Sequence, residues 1–175
     1  MSPKRKILII VGIILILILA EGIYFLKTKK ERKLHMLTGI VVPVLSNKHV
    51  PDNTKIIYNS NPPTSGKHYA EPQDAGIYVT PPQDGHLVHS LEHGAVILWY
   101  NPRQLSPEQI KQLKTIFISF TPTKQKIIMT PREILDVPVA VSSWGRMLKL
   151  QTIDEEKIKN FFKTNYDQGP EQAPI

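Results

Sequence analysis

Residues 95–100 read AVILWY, a continuous apolar run that is partly β-branched and ends at Asn101 and Pro102. A short apolar run closed by turn-forming residues is typical of a strand that is buried on both faces. The nine residues before it, HLVHSLEHG at 86–94, contain three histidines, one glutamate and a final glycine. The sequence therefore predicts a polar cluster at a turn that leads directly into the central strand of the fold.

Two helices and two further strands are predicted after this central strand. Ser106 suits the N-cap position, Pro107 suits the first helical position, and apolar residues then recur at helical spacing. A second amphipathic pattern follows near the carboxyl end of the chain. The predicted helices cover about residues 107–119 and 154–164, and the predicted strands are KIIMT at 126–130 and VPVAVSSW at 137–144.

The front half of the chain has a different composition. Residues 43–82 are rich in Pro, Asn, Ser and Gly, with only short apolar pieces between them. Proline fixes φ and removes an amide donor, so this region favours extended loops and short edge strands. The fold class predicted for the chain is α+β, with a small mixed or antiparallel sheet and two amphipathic helices, preceded by one transmembrane helix.

The amino terminus carries the longest apolar segment. Residues 7–26 follow the basic group Lys4, Arg5 and Lys6, and they supply about the 20 residues that a helix needs to cross a bilayer. A cleavable signal peptide is the alternative, but the apolar run continues past Ala20 and has no A-x-A site. We expect a membrane anchor with a basic juxtamembrane stalk over residues 1–33.

Residues 34–175 are expected to form a single domain. Basic residues flank the apolar segment on both sides, so charge alone leaves its orientation open. A short tail before a first hydrophobic helix is the usual arrangement of a signal anchor, with the following domain exported. The predicted location is the cell membrane, crossed once, with the carboxy-terminal domain outside the cytoplasm.

The charge distribution argues against nucleic-acid binding. The chain has a net charge of +7, but eight of its 22 basic and two of its 15 acidic residues precede residue 34. The remaining 14 basic and 13 acidic residues give the domain a net charge of only +1. Such a domain lacks the positive charge that neutralises phosphates. We expect the membrane as a partner and no nucleic acid, and no protein or envelope partner is identified.

Histidines are the main candidates for chemistry. The chain has no cysteine, which excludes a thiolate metal cage and a cysteine nucleophile. His89 and His93 would share one face of a helical turn, and His68 lies in the loop PPTSGKHY at 62–69. Imidazoles combined with a carboxylate favour zinc or copper. We expect His68, His89 and His93 as metal ligands, with Glu92 as the fourth ligand or as a residue that orients them.

Two other interpretations stay open. HSLEH at 89–93 matches the inverted zincin pattern H-x-x-E-H, in which Glu92 would act as the general base of a metal-dependent hydrolase. That pattern belongs inside a sustained helix, whereas Gly94 and the apolar run predict a strand at once. Alternatively, the histidines only bond buried backbone groups, and the loops form a non-enzymatic interaction module of the cell envelope. We assign no catalytic residue.

Five segments of the chain are distinctive: PPTSGKHY at 62–69, GIY at 76–78, LVHSLEHGAVILWY at 87–100, SWGR at 143–146 and GPE at 169–171. In these segments the chain resembles a bacterial family called domain of unknown function 3105. The resemblance spans about residues 50–171, and it implies a membrane helix or signal ahead of the domain. His68, His89 and His93 match the motif histidines, with Glu92 beside them, whereas His86 falls outside the fixed pattern. The resemblance implies no reaction.

Overall fold

A computed structural model describes residues 3–35, 37–121 and 123–175, and the chain forms two compact units that divide between Leu37 and Thr38. The first unit consists of helix α1, Pro3–His35. Its segment Pro3–Thr28 contains an 18-residue window with a mean hydropathy of 2.9 and is long and apolar enough to cross a membrane. A signal sequence near an amino terminus has the same character.

The second unit is built on a mixed six-stranded sheet in the order β1-β6-β5-β3-β4-β2. Strand β3 is parallel to β4, which is also parallel to β2, and the other pairs are antiparallel. This confirms the predicted α+β class. The strands are β1 (Ile40–Val41), β2 (Gly76–Ile77), β3 (Val96–Tyr100), β4 (Ile127–Pro131), β5 (Val139–Ser143) and β6 (Arg146–Leu150).

Strand β3 occupies a central position, and all five of its residues are buried, as its continuous apolar sequence predicts.

Strands β1 and β6 are absent from the prediction. Strand β1 has only two residues, which is too short for a periodic signal. In β6 only Met147 and Leu150 are buried, so its sequence RMLKL lacks the strict alternation of a half-buried strand.

Three helices pack in the second unit: α2 (Asp84–Glu92), α3 (Pro107–Ile118) and α4 (Glu155–Asn165). The predicted helices at 107–119 and 154–164 are confirmed to within one residue at each end. Ser106 and Gln109 form a reciprocal capping box at the start of α3. The Asp154 side chain caps α4 by accepting a hydrogen bond from the Lys157 amide.

Two hydrophobic clusters cover the two faces of the sheet. On one face, α3 and α4 contribute Phe117, Phe161 and Phe162, which lie in one cluster with Leu98 of β3. On the other face, Leu87 and Leu91 of α2 lie in one cluster with Trp99. Because side chains alternate along a strand, β3 supplies apolar contacts to both layers. Helix α2 is thereby fixed against the sheet, and its polar residues are placed at the edge of the core.

The segment HLVHSLEHG differs from its prediction. Its sequence context predicts a turn, but most of it belongs to the nine-residue helix α2, which ends at Glu92. His93 follows as the C-cap residue, and Gly94 has a φ of +91°, a conformation that favours glycine. The apolar spacing of Leu87, Val88 and Leu91, all fully buried, explains why this segment is helical. The sequence therefore changes from helix to strand within three residues.

Candidate metal centre

His68 reaches the centre from the PPTSGKHY loop, and its side chain is fully buried. Its Nδ1 lies 2.9 Å from the carbonyl oxygen of Gly66. A carbonyl oxygen only accepts hydrogen bonds, so Nδ1 carries a proton. In the neutral ring Nε2 then carries a lone pair, which is the form in which histidine binds a metal.

The free nitrogen of His68 faces a carboxylate. Its Nε2 lies 2.9 Å from Oε2 of Glu92, and the Glu92 side chain is 1% exposed. Despite this short distance, the ring geometry does not form a hydrogen bond, and Nε2 is a buried atom with no hydrogen-bond partner among the described residues. The two atoms form an ion pair only if the ring is protonated, and in the neutral ring a lone pair faces the carboxylate oxygen.

His89 lies on α2, one turn before His93, and only 4% of its surface is exposed. Its Nδ1 is a second buried atom that lacks a hydrogen-bond partner among the residues that the structure describes. Burial, and then the neighbouring histidines 68, 93 and 49, lower the pKa of His89 from 6.5 to about 4, while a hydrogen bond to the Tyr69 backbone opposes the shift. His89 is therefore neutral near pH 7 and able to bind a metal.

His49 is a further histidine at this centre, and the sequence does not predict it. Its backbone pairs with that of His68: the Val50 amide donates to the His68 oxygen at 2.9 Å, and the His68 amide donates to the Lys48 oxygen at 3.3 Å. The His49 ring centroid lies 4.7 Å from that of His68 and 4.9 Å from that of His89. His49 is exposed, so it places a ligand where the centre meets solvent.

One ligand atom from each of His49, His68, His89 and Glu92 lies within 4.8 Å of all the others. Two ligands of a tetrahedral zinc ion, at bond lengths near 2.0–2.1 Å, lie about 3.3 Å apart. The distance between His68 Nε2 and Glu92 Oε2, 2.9 Å, is close to this separation. Asn47 donates a hydrogen bond of 2.8 Å to Oε1 of Glu92, which leaves Oε2 directed at the imidazoles.

His93 belongs to a second, adjoining group. Its ligand atom, one from His89 and one from Glu171 also lie within 4.8 Å of one another. The ring centroids of His89 and His93 are 4.5 Å apart. Of the predicted ligands, the structure thus groups His68, His89 and Glu92 together, and it groups His93 with His89 and Glu171 instead. Glu171 is absent from the predicted ligand set.

His86 lies outside both groups of candidate ligands among the described residues. Its Nδ1 donates a hydrogen bond of 2.6 Å to the Glu71 carbonyl oxygen, and its ring makes an edge contact with Tyr69.

A cleft of about 390 Å³ lies nearby, at the start of α2, and no candidate ligand lines it. Its lining includes Tyr58, Tyr69, Gln83, Asp84 and Gly85.

The comparisons with known proteins decide the family. Residues 49–174 match the family model described as "Protein of unknown function (DUF3105)". The chain belongs to this family. The match confirms the resemblance stated from the motifs, and it includes all the candidate ligands of both groups. No curated protein and no solved structure matches the chain.

The DUF3105 domain positions its candidate ligands by two different means. Helix α2 supplies His89 and Glu92 from consecutive turns of a buried helix, and their spacing is visible in the sequence. His49 and His68 come from loops that are joined by backbone hydrogen bonds. The arrangement can hold one ion with up to four ligands, three of them buried and one facing solvent.

Proposed function

We propose that this domain binds one zinc or copper ion through His49, His68, His89 and Glu92. One observation carries the proposal: His68 Nε2 and His89 Nδ1 are both buried without a hydrogen-bond partner, in a group that also contains a carboxylate oxygen. Buried polar atoms are rarely left unsatisfied, because each costs about 1–3 kcal/mol. A metal ion would satisfy both nitrogens at once.

The way the rings are held supports metal binding over a purely structural role. A ligand histidine commonly donates its other ring N–H to a backbone carbonyl, which fixes the tautomer and the ring orientation. His68 has this arrangement through Gly66. In a domain that uses its histidines only to stabilise loops, the second nitrogen would be expected to bond a polar group as well. The non-metal interaction module is therefore the less well supported alternative.

A hydrolase receives less support from the same geometry. Oε1 of Glu92 accepts the Asn47 amide, and Oε2 faces His68. With a side chain only 1% exposed, neither oxygen is available to take a proton from a water molecule in solvent. Four protein ligands would also fill a tetrahedral shell, which is typical of a site that holds an ion instead of catalysing hydrolysis.

The anchor supports a location at the cell membrane. Segment Pro3–Thr28 is suited to crossing a bilayer, and we propose that it is retained, with the metal-binding domain outside the cytoplasm. The membrane contact is assigned to residues 7–26. A ligand set without cysteine suits an oxidising compartment, where exposed thiols form disulfides. The proposed role is thus to hold a transition metal at the outer surface of the membrane.

The test is a metal titration of the full chain, purified in detergent without a histidine tag and stripped with a chelator. Zn²⁺ and Cu²⁺ are titrated in competition with a chromophoric chelator. We expect one tight site in the parent chain and its loss in the double variant His68→Gln, His89→Gln. The matched control is His86→Gln, which removes a histidine of the same helix and should retain the site. Equal binding by the double variant and the parent would overturn the proposal.

A further inference from the structure

The carboxy-terminal tail brings Glu171 beside His93, the C-cap residue of α2, and the two form a second pair of candidate ligands next to His89. His93 Nδ1 donates a hydrogen bond of 2.7 Å to the Pro174 carbonyl oxygen, so its Nε2 carries the lone pair in the neutral ring. That Nε2 lies 3.3 Å from Oε2 of Glu171. His89, which has a buried and unpartnered Nδ1, belongs to both groups.

The tail is fixed in place by its backbone. The Asp167 amide donates to the Gly94 oxygen at 2.8 Å, and the Glu171 amide donates to the Glu92 oxygen at 3.1 Å. A Cβ atom on Gly169 would lie 2.1 Å from that same Glu92 oxygen, so only glycine allows the tail to approach so closely. The GPE motif of the tail therefore places Glu171 directly beside the residues that carry the buried ligands.

Each group has one exposed member, which is His49 in the first group and the carboxylate of Glu171 in the second. The side chains of His68 and Glu92 are 0% and 1% exposed, whereas those of His93 and Glu171 are 9% and 50% exposed. A carboxylate at the solvent boundary attracts cations and raises their local concentration. An ion that reached the outer pair could pass to the buried ligands while staying bound to His89. At no stage would it lose all its protein ligands.

We propose that His89, His93 and Glu171 form an outer metal position, through which zinc or copper exchanges with the buried position. This inference rests on the proposed function, because it assumes that the buried group binds the ion. It assigns the tail a role in the rate of metal exchange. A transit position lowers the barrier in both directions, so its loss slows uptake and release by the same factor and leaves the dissociation constant unchanged.

The experiment compares Glu171→Gln with the parent chain, both full length in detergent and tested with Zn²⁺ or Cu²⁺, whichever the parent binds. Glutamine keeps the size of the side chain and removes its charge. Stopped-flow mixing measures uptake of the free ion and release into excess chelator, and an equilibrium titration measures affinity. The matched control is Glu156→Gln, which removes an exposed carboxylate of α4.

We expect Glu171→Gln to slow both uptake and release by about tenfold or more, the scale of electrostatic steering. The dissociation constant should change by about threefold or less, as for removal of an exposed charge. Unchanged rates would overturn the proposal. The proposal would also be overturned if Glu171→Gln released the ion faster and lost as much affinity as the double variant His68→Gln, His89→Gln, because Glu171 would then be a ligand of a single site. If the parent chain binds neither metal, the proposed function itself fails.

Discussion

His68 Nε2 lies 2.9 Å from Glu92 Oε2, while the Gly66 carbonyl holds the proton of the same ring on Nδ1. In the neutral ring, this arrangement sets a nitrogen lone pair beside a carboxylate oxygen, inside a buried environment. A cation bound to both atoms converts that unfavourable contact into two ligand bonds. The structural relationship between these two residues therefore links metal binding to the stability of the domain.

The first prediction is that the metal stabilises the folded domain. At a free ion concentration of 100 times the dissociation constant, a ligand that binds only the folded state adds about 2.7 kcal/mol to the free energy of unfolding. Urea unfolding can be followed by the fluorescence of Trp99 and Trp144, the only two tryptophans of the chain. A chelator should reverse the gain, and the double variant His68→Gln, His89→Gln should show none. A gain of equal size in that variant would contradict the account.

The second prediction concerns His49, the exposed member of the buried group. His49→Gln should weaken metal binding, because it removes one of four ligands. It should leave the free energy of unfolding of the metal-free chain within about 0.5 kcal/mol, since exposed substitutions have small effects on stability. Metal titration and urea unfolding of the same preparation separate these effects. Unchanged affinity would exclude His49 as a ligand.

The third prediction concerns Asn47, whose amide orients Glu92. Asn47→Ala removes the 2.8 Å hydrogen bond to Oε1 and should weaken metal binding by about 10- to 100-fold, as is typical of residues that support a ligand. Asn59→Ala provides a control, because the Asn59 amide bonds the Pro43 oxygen and contacts no candidate ligand in the described hydrogen bonds. Equal affinities of the two variants would show that Glu92 needs no orientation by Asn47.

The fourth prediction is a pH dependence of stability. The pKa of His89 falls from 6.5 to about 4 in the folded, metal-free chain, chiefly because of burial. Between these two values the unfolded state binds a proton at this residue and the folded state does not, so stability rises with pH. The contribution of His89 to the free energy of unfolding is fully present above pH 6.5 and is lost as the pH falls toward 4. Below pH 4 this contribution does not change further.

The pH prediction is checked by urea unfolding of the metal-free chain at intervals from pH 7.5 to 4. The parent should lose more stability over this range than His89→Gln, which has no group to titrate at that position. The difference between the two curves isolates His89 from the carboxylates that titrate at the acid end. Parallel curves would show that the pKa of His89 is not lowered by folding.

The fifth prediction tests the attachment of the tail. In Gly169→Ala the new methyl group would lie 2.1 Å from the Glu92 oxygen and 2.3 Å from the Gly94 nitrogen, so the tail must move. We expect a loss of about 1–3 kcal/mol in the free energy of unfolding, as for other overpacked positions. Hydrogen exchange at the Glu171 amide should also become faster. Gly12→Ala is the control, because outside its chain neighbours and the nearby backbone of its own helix no described atom lies within 4 Å of the added methyl group.

Strands β3, β4 and β5 and helices α3 and α4 are predictable because their apolar residues are periodic or continuous. AVILWY identifies the buried central strand, and Ser106 with Pro107 marks the start of α3. Helix α2 is harder to recognise because Gly94 and the following strand stand next to it, and this context suggests a turn. The histidines within it nevertheless stand out, since their spacing depends only on local sequence.

His49 and Glu171 could not be predicted in the same way. His49 is 19 residues from His68 in the sequence, and only the backbone hydrogen bonds between two aperiodic loops bring them together. Glu171 lies in a tail whose position depends on the close approach of Gly169 to Glu92. Such contacts are long-range and leave no periodic signal. The family match includes most of the tail, but it does not give the contact of the tail with α2.

Metal binding by the buried group can be tested by measuring the metal content of the full chain, purified from membranes without a histidine tag, with inductively coupled plasma mass spectrometry. We expect about one zinc or copper ion per chain, and its loss in a folded double variant, His68→Gln with His89→Gln. A folded parent chain that carries no metal, even after zinc and copper are added, would contradict this expectation.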